Sequence, residues 1–272
     1  MSISFKNPPI LEVSYSIQFE PINTLHIGYQ GLIWNEFKDS FPNLEHGQKL
    51  SHEIERFGLP DLQPQNPFQL IDNVEAPRTL MVSENSERLI QIQNDRFVFN
   101  WRKFQNTDLS YPRYESLRKE YREWVTKFLH FLKKNEISGD LLLDQIEITN
   151  VNHIDVSDIA QNEIFNGLSC GSNISDSLEL ENYFFNMTHI LKENDKPVGR
   201  LHTIAQKRMD NITKNPIYVV NLTARSNVNK GKTLDEILDD MDSLRNNINT
   251  VFKNITTPKM HKIWGLEENN HE

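Results

Sequence analysis

The run RLIQIQNDRFVFNWR, from Arg88 to Arg102, constrains the fold of this chain more than any other stretch. If Asn94-Asp95 form a two-residue loop, Ile92 stands opposite Phe97 and Ile90 opposite Phe99, so four large apolar side chains share one face. The other face carries Gln91, Gln93, Arg96 and Asn100, with Val98 as its one apolar member. A slip of one residue would turn both phenylalanines into water, so turn chemistry and alternation demand the same register. The pattern predicts a sheet with one core face and one open polar face available to a partner.

The remaining elements follow from periodicity. Ile10 to Phe19 alternates as a half-buried strand, with Leu11, Val13, Tyr15, Ile17 and Phe19 of one parity. Asn23 or Thr24 is placed to cap a helix that runs to about Phe41, where Pro42 stops it. Asn43 to Pro77 reads as a long irregular connection with a short strand near Ile54. Strands follow near Thr79 to Ser83, Leu89 to Gln93 and Arg96 to Arg102. Tyr111-Pro112 then opens a helix whose stripe is Tyr114, Leu117, Tyr121, Trp124, Phe128 and Phe131, ended by Ser138-Gly139. The second half gives a strand from Leu141 to Ile154, a short helix or loop from Ser157 to Asn166, and a three-strand meander. The meander comprises SLELENYFFNMTHIL, Arg200 to Arg208 and Ile217 to Arg225, and a helix from Leu234 to Ile255 follows it. Both halves thus read as strand, helix or loop, three strands and a long helix. The expected fold is α+β with mainly antiparallel sheets, saddle-like or helix-grip-like. It has two pseudo-repeated units, 1–138 and 139–272, as separate units or one fused domain.

Composition excludes several classes. Cys170 is the only cysteine of 272 residues, so no internal disulfide or cysteine-rich zinc site can form, and the expected compartment is a reducing cytosol. No apolar run approaches the ~18 residues of a membrane span, and MSISFKNPPILEV lacks the pattern of a secretory signal. The five Asn-x-Ser/Thr sequons, beginning with Asn173, therefore carry no weight. A net charge of -9 disfavours broad capture of nucleic acid.

Five motifs carry a resemblance: PPILEV at Pro8, LIQIQNDRFVFNW at Leu89, YPRYESL at Tyr111, TNVNHI at Thr149 and the closing ITTPKMHKIWG. Together they resemble a sporadically distributed, functionally uncharacterised family of prokaryotic proteins of about this length. One departure is Asn150, where the family pattern leads one to expect an aromatic residue. The resemblance implies no activity, cofactor or catalytic residue, and its patchy distribution is compatible with mobile or defence-associated genes.

Each chemical motif has a structural counterpart that outweighs it. SNVNKGKT, Ser226 to Thr233, ends like a phosphate-binding loop but lacks its first glycine, and Thr233 with Glu236 forms a capping box. Asp235, Asp239, Asp240 and Asp242 read as solvated carboxylates favoured by a helix N-terminus. His153, His189 and His202 lie on strands and would make a metal site if they converged, but no HExxH-type spacing supports it. Arg113, Arg118, Lys119, Arg122, Lys127, Lys133 and Lys134 read as the solvated face of the aromatic helix, and as the one place where an anionic partner could bind.

The expected function is a non-enzymatic binding or regulatory protein of the prokaryotic cytosol, in line with a defence or toxin-control system. It has no cofactor, and a protein partner or self-association is expected. The expected surface is Gln91, Gln93, Arg96 and Asn100, continued by Gln145, Glu147 and Thr149, because amides suit peptide backbone or base edges. The alternative is a metal-assisted hydrolase or nuclease using the three strand histidines.

Overall fold

The computed structural model describes residues 2–57, 77–103, 109–137, 141–157, 159–160, 163–166 and 181–269. Cys170, the sequon at Asn173 and the helix stop at Ser138-Gly139 lie outside the described residues. In the central hairpin, β5 (Arg88–Gln93) and β6 (Arg96–Arg102) pair with Ile92 opposite Phe97 and Ile90 opposite Phe99, the register that the alternation requires. The carbonyls of Asn94 and Asp95 in the connecting turn accept from the amides of Ile22 and Phe19.

Strand β2 (Ile10–Phe19) lies beside β6 on one side and β7 (Leu143–Asp155) on the other. With β3 (Asn43–Gly47), β4 (Arg78–Val82), β8 (Phe185–Glu193), β9 (Lys196–Met209) and β10 (Pro216–Asn227), these make one antiparallel sheet. Its nine strands run β3-β4-β5-β6-β2-β7-β10-β9-β8, so both halves of the chain share it. A smaller pair, β1 (Ser2–Phe5) with β11 (Leu266–Asn269), joins the two ends of the chain.

Two helices cover one sheet face, α2 (Tyr114–Lys134) and α3 (Leu234–Ile255). Val13, Tyr15, Ile17 and Phe19 of β2, Ile146 and Ile148 of β7, and Val220, Leu222 and Ala224 of β10 are buried on that face. Phe97 stacks on Phe128 with ring centroids 5.1 Å apart, and Tyr15 meets Tyr121 at 5.5 Å. Trp124 sits beside the buried stripe, edge-on to Phe41 at 4.9 Å, while Val125 takes the central position.

The Tyr-Pro-Arg-Tyr motif ties this layer together. Tyr111 packs on Trp101, and Arg113, at a φ of 75°, donates to the carbonyls of Phe5 and Lys6. Tyr114 donates to Asp242 of α3. Helix α2 therefore begins two residues after Pro112, not at it. The closing motif forms α4 (Pro258–Trp264), capped by Thr257 and ended by Gly265 at a φ of 65°, with Trp264 stacked on Phe252 at 5.2 Å. Asn150 is buried and lines a cavity of about 250 Å³ with Ile10, Tyr15 and Ile148, where an aromatic side chain would have had room.

Three expectations are corrected in the first half. The helix expected from Asn23 or Thr24 to Phe41 is α1 (Gln30–Phe37), because the Thr24 hydroxyl donates to the Ile137 carbonyl instead of capping. The stretch after Pro42 starts with a strand, β3, rather than an irregular connection. No strand forms around Ile54; residues 48–57 run as an extended strap across the sheet face opposite the helices.

Candidate functional site

Because side chains alternate, the strands that bury phenylalanine and isoleucine under the helices turn a polar set to the other face. Register places Gln18 between Arg96 and Gln145, and Glu147 beside Arg225, which in turn faces Arg200. Thr149, Thr223 and His202 form the next row, and the two threonine hydroxyls are 2.9 Å apart. The polar residues expected from both halves thus lie on one continuous face.

That face is not open. Gln93 holds the main chain of Leu50 at both ends of its amide, donating to the carbonyl at 2.9 Å and accepting from the N–H at 3.0 Å. Gln145 repeats the arrangement further on, donating to the Glu53 carbonyl at 2.7 Å and accepting from the Glu55 N–H at 2.9 Å. Arg96 donates to the Ser51 carbonyl, Asn227 to that of Glu55 and Arg200 to that of Arg56. A glutamine side chain carries the same donor and acceptor as a peptide group, so the face reads the strap much as a neighbouring strand would.

One strap side chain is sunk into the face. The Glu55 carboxylate is 7% exposed, whereas that of Glu53 is 58% exposed. Glu55 accepts from Arg200, and from His202 Nε2 at 2.9 Å, with Arg225 Nη1 at 3.8 Å. Arg225 also holds Glu147 at 2.5 Å and Glu53 at 2.8 Å, and the Phe57 ring lies 4.6 Å from the Arg200 guanidinium carbon. Burial alone would raise the Glu55 carboxyl, but hydrogen bonds from His202 and Arg200 override it and hold it at about 2. The pair therefore contributes in full above the ordinary 4.5 and is lost as pH falls from there towards about 2. At the other end of the strap, His52 lies 3.1 Å from Asp95 and 3.5 Å from Asp144.

The expected residues sort differently from the sequence reading. Gln93, Arg96, Gln145 and Glu147 belong to the strap-binding face, joined by Gln18, Arg200, Arg225 and Asn227. Gln91 and Asn100 are not available to a partner: they are 9% and 3% exposed and bonded to each other at 2.7 Å. Asn100 also donates to Glu12 at 2.6 Å, and burial raises the Glu12 carboxyl despite that bond. Removing both amides would take the Asn100 hydrogen bond from a buried carboxyl, so the pair is structural.

The three histidines do not converge. His189 is in register with Leu201 and so shares the helix-side face, whereas His202 lies on the polar face against Thr188 and Glu55. His153 stands four residues along β7 from Thr149, on the order of 13 Å at ~3.3 Å per residue, and its nearest acid is Asp210 at 3.9 Å. Among the described residues, no group of three or more His, Cys, Asp or Glu side chains could hold a metal ion.

The basic face of α2 is solvated at Arg113, Lys119, Arg122, Lys133 and Lys134, while Arg118 and Lys127 are half-buried. Arg118 pairs with Asp239 and Asp242, and Arg122 with Asp235, because α2 and α3 lie side by side on one sheet face. Lys127 lies over the Phe37 and Trp124 rings. Of the aspartates expected to be solvated, Asp235 and Asp239 are 67% and 74% exposed while pairing with these arginines, and Asp240 holds Lys232. The Thr233 hydroxyl and the Glu236 carboxylate form the expected capping box. The loop before it lines a cavity of about 560 Å³ whose walls combine Leu129, Leu132, Leu143 and Val228 with Lys133, Lys230 and Lys232. Thr233→Ala should cost ~1 kcal/mol in urea denaturation through loss of the cap, with no change in nucleotide affinity.

A scan of the chain against protein-family models and a search of curated proteins found no match. No described helix is long and apolar enough to cross a membrane.

Proposed function

We propose that this chain is a non-enzymatic binding protein of regulatory type, working in the prokaryotic cytosol, whose polar sheet face takes an extended polypeptide. The observation that carries the reading is the pair of two-sided bonds made by Gln93 and Gln145 to main-chain groups of residues 50–57. Main-chain recognition of this kind is indifferent to most side chains, so the same surface suits a strand from another protein. Protein is favoured over nucleic acid because the face carries carboxylates as well as guanidiniums, and the whole chain is acidic. A saddle of two pseudo-repeated halves is part of the reading. Its support is the strand order, which runs β6, β5, β4, β3 outward from β2 and β10, β9, β8 outward from β7.

The test uses the full chain with residues 50–57 replaced by glycine and serine, and a fluorescent peptide of sequence Lys49 to Phe57. Saturable binding by anisotropy is expected, weakened about tenfold or more by Gln145→Ala, since two lost hydrogen bonds cost ~1–3 kcal/mol. No binding at millimolar peptide, by a protein that melts cooperatively, would sink the reading.

A further inference from the structure

The strap's contacts divide into a general part, made through its main chain, and a specific part made through one carboxylate. Resting on the polypeptide-binding reading, we infer that residues 50–57 are a self-ligand that keeps the face closed, and that the external partner is an extended acidic peptide whose glutamate replaces Glu55 between Arg200, Arg225 and His202.

Charge supports this occupant. Around Glu55 the sheet presents Arg200 and Arg225 against a single carboxylate, Glu147, and the strap brings Glu53 and Glu55 to these guanidiniums. Among the described residues, a replacement without acid groups would leave the Arg200 guanidinium, 18% exposed, without a carboxylate and Arg225 with Glu147 alone. Glu55 is the side chain that the face encloses, so a glutamate is where selectivity between peptides would arise.

The strap also fits incompletely. Among the described residues, Gln18 Nε2, Arg96 Nε and the Ser16 hydroxyl are buried on this face without a hydrogen-bond partner. Gln18 is fully buried and Ser16 is 1% exposed, so these atoms cannot turn to water. An external chain that supplies their partners would bind better group for group than the strap does. The strap holds its place by tethering, since Leu50 follows β3 by only three residues and its effective concentration is on the order of millimolar. A peptide of the strap's own sequence therefore competes poorly with the intact chain, and weakening the strap at one atom should admit it.

The experiment titrates the labelled Lys49 to Phe57 peptide, and a copy carrying Glu55→Gln, against wild type, the Glu55→Gln protein and the strap-replaced chain. The Glu55→Gln protein should bind the glutamate peptide at least tenfold more tightly than wild type does, and at least tenfold more tightly than it binds the glutamine copy. Hydrogen exchange provides a reading that needs no variant. In isotope-labelled wild type, millimolar glutamate peptide should deprotect the Leu50 and Glu55 amides while α2 and α3 stay protected. If the strap-replaced chain binds the peptide but Glu55→Gln opens nothing and those amides stay protected, the self-ligand is wrong and the polypeptide-binding reading stands. Equal affinity for the two peptides would overturn the glutamate selectivity. Failure of the strap-replaced chain to bind either would remove the face itself.

Discussion

Phe97→Ala should lose about 3 to 5 kcal/mol of stability in urea denaturation, enough to unfold a domain of ordinary stability or drive it into aggregates. Phe97 is fully buried, its ring stacked on Phe128 and near Tyr121 at 6.3 Å, and its register neighbours are Ile92 and Ile17. The cavity left by the ring would open under α2, where the long helix packs on a twisted sheet and cannot collapse around one missing side chain. Val98→Ala supplies the comparison. Its side chain lies on the strap side of the same strand, so its loss removes less apolar area and should cost about 1 kcal/mol. Equal losses at the two positions would show that the faces are wrongly assigned, and a folded Phe97→Ala protein with an unchanged melting temperature would do the same.

That contrast marks what alternation can reveal. The bounds of β2, β6 and α3 and the pairing of Ile90 and Ile92 with Phe99 and Phe97 were legible because each rests on side chains that repeat with the period of their own element. The strap has no such signature. It is recognised through main-chain groups by residues 43 to 172 positions away, and only Glu55 contributes a sunken side chain. For the same reason Gln91 and Gln93, two positions apart and alike in sequence, have different roles. Gln91 faces Asn100 across the hairpin, while Gln93 lies at the turn, where the strap enters. His202 attracted attention as a ligand for metal, and its partner is instead a carboxylate 147 residues earlier. The paired charges of α2 and α3 were likewise invisible, since nothing local shows that the two helices share one sheet face.

The substitution Gly199→Ala tests whether the strap-binding face depends on how closely two strands approach beneath it. Gly199 lies in β9 opposite Ser226, and a Cβ there would sit 2.0 Å from the main-chain carbonyl oxygen of Arg225. Real contacts of this kind do not fall below 3.0 Å. No side-chain rotation relieves the clash, because the obstacle is backbone, so the end of β9 must move away from β10. This is where the strand is already irregular: β8 changes register between Leu191 and Lys192, beside Gly199, and the Ser226 hydroxyl donates to the Val198 carbonyl at 3.1 Å. The next residue on each strand at this point is Arg200 or Arg225, so displacement separates the two guanidiniums that meet at Glu55. Gly199→Ala should therefore destabilise the chain by roughly 2 to 3 kcal/mol, as overpacking does, against the few tenths to 1 kcal/mol that alanine usually gains by stiffening the unfolded chain. Gly31→Ala in α1, with nothing within 4 Å of its added carbon, should stabilise by up to about 1 kcal/mol. The decisive measurement is hydrogen exchange at the Glu55 amide, which should quicken in Gly199→Ala and stay as in wild type in Gly31→Ala. A Gly199→Ala protein that loses stability yet keeps that amide protected would show that the strap is anchored without the help of β9.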